Sequence, residues 1–265
     1  IRDRTQTTGG SNVAIGDQAM QYTPASTAIS SVVAIGVSAL GDGSGMSTTG
    51  DGGVAIGSGA GNTIKNLAGE FVIIGSSAGQ RINGTGVTHI GWEAGKNASG
   101  SYNTFVGADA GAGGTTSAPY SSGTHNTALG RQALGGFTTG GSNTAIGSQA
   151  GNSIKTGTEN AFLGYNAGYN ATGSMSYGVA IGSHAGYQNN NGSVVYIGRY
   201  AGFAGSGAIG GGNIGIGYQA LFTNRSSDET GMKWNIAIGR AAMSNTTDTL
   251  GAAHSNVAIG YTALK

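Results

Sequence analysis

Residues 143–151 read N-T-A-I-G-S-Q-A-G, and variants of this pattern recur along the whole chain. Positions are counted here from the glycine of the Ile-Gly pair, so that Asn143 is at −4, Gly147 at 0 and Ala150 at +3. Fourteen copies follow one another at spacings of 16 to 23 residues. A unit this short cannot bury its own apolar side chains and has to stack on its neighbours, so the repeat indicates a solenoid. Copies 1 to 14 have their position 0 at Gly16, Gly36, Gly57, Gly75, Gly91, Gly107, Gly130, Gly147, Gly164, Gly182, Gly198, Gly217, Gly239 and Gly260.

Positions −3 to −1 predict a short strand, because the V-A-I-G motif is a short β-branched segment flanked by Gly and Asn. Side chains alternate along a strand, so positions −3 and −1 share one face and position −2 lies on the other. Position −1 is always Ile, Val or Leu, which predicts a tight interior. Position −2 also admits His, Phe and Tyr, which predicts an exposed face or a contact with a partner chain. The predicted structural core includes Ile15, Ile35, Ile56, Ile74, Ile146, Ile181, Ile238 and Ile259.

Two further positions are nearly constant. Position +3 is Ala in all fourteen copies, which predicts a tight place on the return side of the coil, packed against the Ile row. Position −4 is Asn in eight copies. Such an Asn suits a ladder of side-chain amides between coils, and it equally suits a turn before each strand.

The composition argues against several classes of protein. Gly accounts for 54 of 265 residues, only 9% are charged, and the net charge is +1 with no run of Lys or Arg. Nucleic acid and anionic membranes are therefore not expected partners. There is no Cys and no apolar stretch of about 18 residues, so we expect no thiolate metal site and no membrane insertion. No cofactor is predicted.

Motifs that suggest catalysis or metal binding are better explained by the repeat and the high Gly content. Residues 75–79 match G-x-S-x-G, but they are one copy of the repeat without an evident His and acid. Residues 205–210 match G-x-G-x-x-G outside a βαβ context, and the Gly-Asp-Gly segments at 41–43 and 50–52 lack the period of calcium-binding rolls. No catalytic or metal-binding residue is predicted. The histidines fall in different copies without zinc-type spacing, although a threefold axis would still allow a shared site: His89, His125, His184 and His254.

The copies at 12–20, 143–151 and 256–264 resemble the head repeats of YadA-type trimeric autotransporter adhesins. They resemble even more the N-T-A-I-G-x-x-A-G repeats of tailed-phage tail fibres and related bacterial surface proteins. The resemblance covers nearly the whole chain and implies a left-handed parallel β-roll, three chains side by side and a role in attachment. The copies are longer and less regular than those of the adhesins, and no coiled-coil stalk or membrane anchor is evident, which favours the phage-type fibre.

The sequence therefore predicts an all-β protein, with one parallel β-solenoid domain of about fourteen short coils over residues 1–265. The predicted protein is a homotrimer, forms part of a longer fibre chain, and is not an enzyme. Its expected role is that of a structural and adhesive segment of a virion tail fibre that contacts a bacterial cell-surface glycan or protein. The first alternative is the head of a trimeric adhesin on a bacterial surface. An ice-binding solenoid would need a flat Thr row, and a glycan-cleaving spike would need paired carboxylates in a groove, for which only the adjacent Asp228 and Glu229 are evident.

The predicted receptor-contact residues are aromatic, because exposed rings offer a large contact area at a small entropic cost. Tyr120 and Trp234 lie in long connections between copies, and connections often carry the binding surface of a solenoid. Tyr165, Tyr200 and Tyr218 follow position 0 closely and would form a row along the stack. Such a row would bind a glycan, or would cover coil edges or fill the groove between chains. Also near this row are Tyr169, Tyr187 and Tyr261, and the long connections are residues 21–31, 41–52, 112–125, 222–234 and 244–255.

Overall fold

The protein is an all-β parallel β-solenoid with fourteen short strands, one in each copy, as the repeat predicts. The chain divides into two compact units, residues 1–139 and 140–265. The single domain over residues 1–265 and the homotrimer stay predictions. The computed structural model describes residues 10–21, 30–41, 51–64, 70–117, 120–171, 175–204, 210–222, 232–244 and 254–264.

The first unit contains seven parallel strands that pair in chain order. Each strand pairs in register with the next copy, so that position −1 lies beside position −1, as Ile15 does beside Ile35. This register stacks equivalent positions into continuous rows. The strands are β1 (Val13–Ile15), β2 (Ser30–Ile35), β3 (Asp51–Ile56), β4 (Phe71–Ile74), β5 (Val87–Ile90), β6 (Thr104–Val106) and β7 (Thr127–Leu129).

The second unit repeats this arrangement with seven more parallel strands. The register is the same, as Ile181 beside Ile197 and Ile216 beside Ile238 illustrate. Its strands are β8 (Thr144–Ile146), β9 (Ala161–Leu163), β10 (Val179–Ile181), β11 (Val195–Ile197), β12 (Ile214–Ile216), β13 (Ile236–Ile238) and β14 (Val257–Ile259).

The glycine at position 0 ends each strand in a backbone conformation that side chains rarely adopt. Its φ lies between 127° and 135° in all fourteen copies. A Cβ added at Gly198 would lie 2.6 Å from the carbonyl oxygen of Gly217, the equivalent glycine of the next copy. Both the torsion and the close stacking of successive copies therefore require Gly at this position.

The interior of the solenoid is lined by position −2 and not by position −1. Position −2 is buried in every copy except the first, from Ala34 to Ala258, and includes the fully buried Phe105 and Tyr196. The Ala at position +3 is fully buried in copies 2 to 13, from Ala39 to Ala242. This confirms that the Ala lies in a tightly enclosed place in the coil. It shares the interior with position −2, however, and not with the Ile row at position −1.

The predicted core row was therefore assigned to the wrong face of the strand. Ile15, Ile146, Ile238 and Ile259 are 57%, 37%, 36% and 68% exposed. None of the other four is buried; they are half-buried: Ile35, Ile56, Ile74 and Ile181. Alternation correctly separates the two faces. The narrow coil, however, encloses the row in which Ala predominates, and the uniformly aliphatic row points outwards.

Positions −2 and +4 compensate each other in volume inside the coil. A Cβ added at Gly111 or Gly168, both at +4, would collide with the ring of Phe105 or Phe162 at −2 of the same copy. Where position +4 is Leu or Met, position −2 is Ala or Gly, as in the pair Leu134 and Ala128. In every copy, therefore, at most one of these two positions carries a large side chain, as expected where both share a closely packed interior.

The Asn at position −4 forms the predicted ladder between copies. Oδ1 of Asn103 accepts from the backbone N–H of Asn126 at 2.9 Å, and Oδ1 of Asn213 does so from Asn235 at 2.9 Å. Nδ2 of Asn160 donates to Oδ1 of Asn143 at 2.9 Å. These asparagines are buried, so the ladder satisfies backbone groups at the start of each strand.

Candidate functional site

Three of the five predicted receptor-contact residues lie together, on the turn that follows the strands of the second unit. They are Tyr165, Tyr200 and Tyr218, of which Tyr165 is 51% and Tyr218 is 37% exposed, while Tyr200 is half-buried. Tyr120 lies in the first unit, where its ring is 5.4 Å from the guanidinium of Arg81. Trp234 is 64% exposed but precedes strand β13, at position −5, and does not join the other rings.

Position +5 of copies 9 to 12 forms a column of stacked rings. The ring centroids of Tyr169, Tyr187, Phe203 and Phe222 are 5.6, 5.0 and 5.1 Å apart in order. Their planes lie within 17°, 9° and 14° of one another. Each inner ring has both faces covered by its neighbours, so this column exposes ring edges and supports the surface beside it.

A second column runs alongside at positions +1 and +2. Tyr165, His184, Tyr200 and Tyr218 follow one another at centroid distances of 5.3, 5.0 and 6.5 Å. Their planes are inclined by 74°, 33° and 74° in the same order, so this column is less parallel than the first. The two columns touch where Tyr200 meets Phe203 at 5.6 Å. We call these eight rings the aromatic face: Tyr165, Tyr169, His184, Tyr187, Tyr200, Phe203, Tyr218 and Phe222.

Backbone hydrogen bonds between copies fix the spacing of the aromatic face. The N–H of His184 donates to the carbonyl of Tyr165 at 2.9 Å, and that of Tyr200 donates to Ser183 at 3.0 Å. Position +2 has a positive φ, 58° at His184 and 59° at Tyr200. The turn therefore has as regular a backbone as the strand before it, and it holds its side chains in fixed rows.

Two arginines extend the aromatic face. The guanidinium of Arg199 lies 4.8 Å from the ring centroid of Tyr200. That of Arg240 lies 5.6 Å from the centroids of both Tyr218 and Tyr261. Burial, and then the positive charge of Arg199, lower the pKa of His184, so this imidazole is neutral near pH 7. The face therefore combines apolar rings with the fixed charges of two exposed guanidinium groups.

The sequence did not predict the part played by Phe203, Phe222, His184 and the two arginines. All five residues lie at position +1, +2 or +5 of copies 10 to 13. Their shared positions in the repeat are the signal from which the sequence could have predicted the cluster. Most of the long connections chosen as binding surfaces lie outside the described residues, at 22–29, 42–50, 223–231 and 245–253. The same is true of Asp228, Glu229 and Gly50 and of most of the segments 41–43 and 205–210.

In the first unit, the same turn positions carry charges. Glu93 and Asp109 occupy position +2 of successive copies, a pairing of acids that sequence inspection missed. Burial and the negative charge of Glu93 raise the pKa of Asp109, and the cations of Arg131 and Lys96 oppose this shift. Nζ of Lys96 is 2.7 Å from Oε1 of Glu93. The acids and bases of this turn thus offset one another.

The exposed strand face is a second feature of the described chain. Position −1 is aliphatic in all seven strands of the second unit and position −3 in all but β8, where it is Thr144, and the paired strands place these side chains side by side. Aliphatic surface of this extent commonly marks a contact with another protein. We call this row the strand face; its most exposed large members in the second unit are Ile146, Leu163, Ile197, Ile238, Val257 and Ile259.

Comparison of the chain with protein families, curated proteins and solved structures found no match in any of the three. The resemblance to fibre and adhesin repeats therefore rests on the motif itself. In the described part of the chain, no three His, Asp or Glu side chains are grouped so as to hold a metal ion. The described residues also contain no helix with the length and apolar character needed to cross a membrane.

Proposed function

We propose that this chain is a structural and adhesive segment of a fibre, most closely a phage or phage-like tail fibre, that binds a glycan or protein on a bacterial surface. The observation that carries the proposal is the aromatic face, eight rings held in register on the turn of a rigid stack. Tyrosine and phenylalanine in fixed positions supply contact area at little entropic cost. The chain acts by binding and display, and not by catalysis.

The strand face supports self-association in the same proposal. Ile238 and Leu163 leave 36% and 46% of their surface exposed in the single chain, although position −1 is aliphatic in every copy. Burying apolar surface contributes roughly 25 cal/mol per Å². A row of seven copies therefore offers a substantial driving force. The number three comes from the resemblance to trimeric fibres.

Placing charges on the strand face should dissociate the proposed oligomer into single chains. We expect a native mass near three times 25.9 kDa for the unaltered chain and a mass near 25.9 kDa for a variant with both Leu163→Glu and Ile238→Glu. Light scattering without denaturant measures both. The matched control is the double variant Leu163→Ile and Ile238→Leu, which keeps the apolar surface and should keep the mass. A monomeric unaltered chain would refute self-association.

Removing rings from the aromatic face should weaken binding to bacterial surface material. The probes are immobilised lipopolysaccharides and capsular polysaccharides, together with intact cells of the same strains to include surface proteins. We expect the double variant Tyr165→Ala and Tyr218→Ala to lose about tenfold or more in affinity, since each ring contributes on the order of 1 kcal/mol. Tyr177→Ala is the control, because Tyr177 is 61% exposed but lies before strand β10. Equal affinities for both variants would remove the aromatic face from the proposal.

A further inference from the structure

We propose that the aromatic face recognises a polysaccharide whose sugars carry negatively charged groups, with Arg199 and Arg240 as the residues that select for charge. This inference rests on the proposed adhesive function and specifies its ligand. The two guanidinium groups are exposed and lie over tyrosine rings, at 4.8 Å for Arg199 and 5.6 Å for Arg240. A ligand that packs against the aromatic face therefore also meets a cation.

The charges of the two arginines are not offset by acids in the part of the chain that the structure describes. The ion pair found there joins Lys96 and Glu93 in the first unit. Among the described residues of the second unit, Glu159 is the single acidic residue, against the bases Lys155, Arg199, Lys233 and Arg240. One guanidinium nitrogen of Arg199 donates to the hydroxyl of Tyr200 at 3.5 Å. Because neither arginine has a carboxylate partner among these residues, the other guanidinium donors are available to a ligand.

Arg131 provides a comparison, because it occupies the same position in the repeat as Arg199 and Arg240 but lies near acidic side chains. Arg131, Arg199 and Arg240 all occupy position +1 of their copies. Arg131 interacts electrostatically with Asp109, whose own neighbours include Glu93 and Lys96. The turn of the first unit therefore neutralises its charges internally, whereas the turn of the second unit surrounds its cations with rings.

The arrangement favours an extended glycan over other anions. Arg199 and Arg240 lie two copies apart, roughly 10 Å along the stack at the usual strand spacing. A ligand that reaches both must be longer than one sugar and must run along the stack. Guanidinium groups pair in bidentate fashion with carboxylate or phosphate, and the neighbouring rings cover the apolar faces of sugars. Two cations are too few for the phosphate contacts that retain nucleic acid at physiological salt.

The test compares charged polymers with their neutral counterparts on the intact native chain. One pair is a bacterial capsular polysaccharide containing hexuronic acid and the same polymer after reduction of its carboxyl groups. The other is a phosphorylated lipopolysaccharide and its dephosphorylated form, which distinguishes phosphate from carboxylate. We expect at least one charged member to bind more tightly than its neutral counterpart, and this preference to weaken as salt is added.

The double variant Arg199→Gln and Arg240→Gln should abolish the preference for charge, lowering affinity for the charged polymer about tenfold or more. The control Arg131→Gln should leave affinity within about twofold of the unaltered chain. Equal binding of charged and neutral polymers would overturn the charge selection while leaving adhesion to glycans intact. A double variant whose native mass falls would also overturn it, because the arginines would then hold chains together. Tighter binding to duplex DNA than to either charged polymer would do the same.

Discussion

Replacing Gly198 by alanine is expected to lower the free energy of unfolding of the second unit by about 3 to 5 kcal/mol, among the largest effects of a single methyl group. Two costs combine at this position. Gly198 has a φ of 129°, which strains an L side chain by on the order of 1 to 3 kcal/mol. The new Cβ would also lie 2.6 Å from the carbonyl oxygen of Gly217, so the two copies would have to separate and weaken their hydrogen bonds.

Gly260→Ala separates these two costs. Gly260 occupies position 0 of the last copy with a φ of 128°, yet the nearest atom to an added Cβ is that of Ala263, at 4.0 Å. Gly260→Ala should therefore lose only the torsional part, about 1 to 3 kcal/mol. Denaturant unfolding followed by circular dichroism measures both, and hydrogen exchange on β14 checks that the last strand of the control remains folded. Similar losses in the two variants would mean that stacking distance is not what excludes a side chain.

The strands and their order could be predicted because they depend on a local and repeated signal. The segments before position 0 are mostly β-branched, end at Gly, begin after Asn in eight copies, and are too short to be stable alone. A parallel stack is the arrangement that satisfies all copies equally. The ladder of Asn103 and Asn126 was one of two alternatives, since hydrogen-bonding partners in a neighbouring copy cannot be distinguished by sequence from a local turn.

The inside of the coil could not be predicted from alternation alone. Alternation states that Ile146 and Ala145 point to opposite faces, but the direction in which the chain turns after Gly147 decides which face is enclosed. The sequence did contain a usable signal. Large side chains at position −2, such as Phe105 and Tyr196, always accompany Gly at position +4, and such compensation in volume is expected only between side chains that share an interior.

The candidate site was predicted in part for a similar reason. Tyr165, Tyr200 and Tyr218 were found because tyrosine after position 0 is conspicuous, whereas Phe203 and Phe222 were overlooked as single residues. Their common position, +5, places them in one column once the register is known. The pairing of Glu93 with Asp109 follows from the same register. In a solenoid, equal position in the repeat is therefore a better guide to a surface cluster than residue type or loop length.

Replacing His89 by phenylalanine is expected to stabilise the first unit, by about 1 to 3 kcal/mol at neutral pH. His89 occupies position −2 of copy 5 and is fully buried, and neither Nδ1 nor Nε2 has a hydrogen-bond partner. Its ring stacks on Phe105 at 4.9 Å with the planes 16° apart. Phenylalanine occupies the equivalent position in two other copies, at Phe105 and Phe162, beside a Gly at +4 as here. The substitution therefore removes two unpaired polar atoms and keeps the shape.

The same substitution should remove a large acid sensitivity. Burial lowers the pKa of His89 from 6.5 to about 3. Between these values the unfolded chain binds a proton at His89 and the native chain does not, so stability is full above pH 6.5 and falls as the pH approaches 3. The loss reaches about 1.4 kcal/mol per pH unit in this window. The gain from His89→Phe should therefore grow steadily from pH 7 to pH 4.

Denaturant unfolding of the unaltered chain, His89→Phe and His125→Phe at several pH values between 4 and 7.5 tests this expectation. His125 is the matched control because it is exposed and its ring stacks on Tyr102 at 5.0 Å, outside the coil. His125→Phe should leave the acid sensitivity of the first unit in place. A pH dependence that survives in His89→Phe would mean that other groups cause it. A loss of stability in His89→Phe at neutral pH would mean that the coil accommodates the imidazole better than a phenyl ring. Other interactions inside the coil would then offset the cost of burying the two unpaired nitrogens.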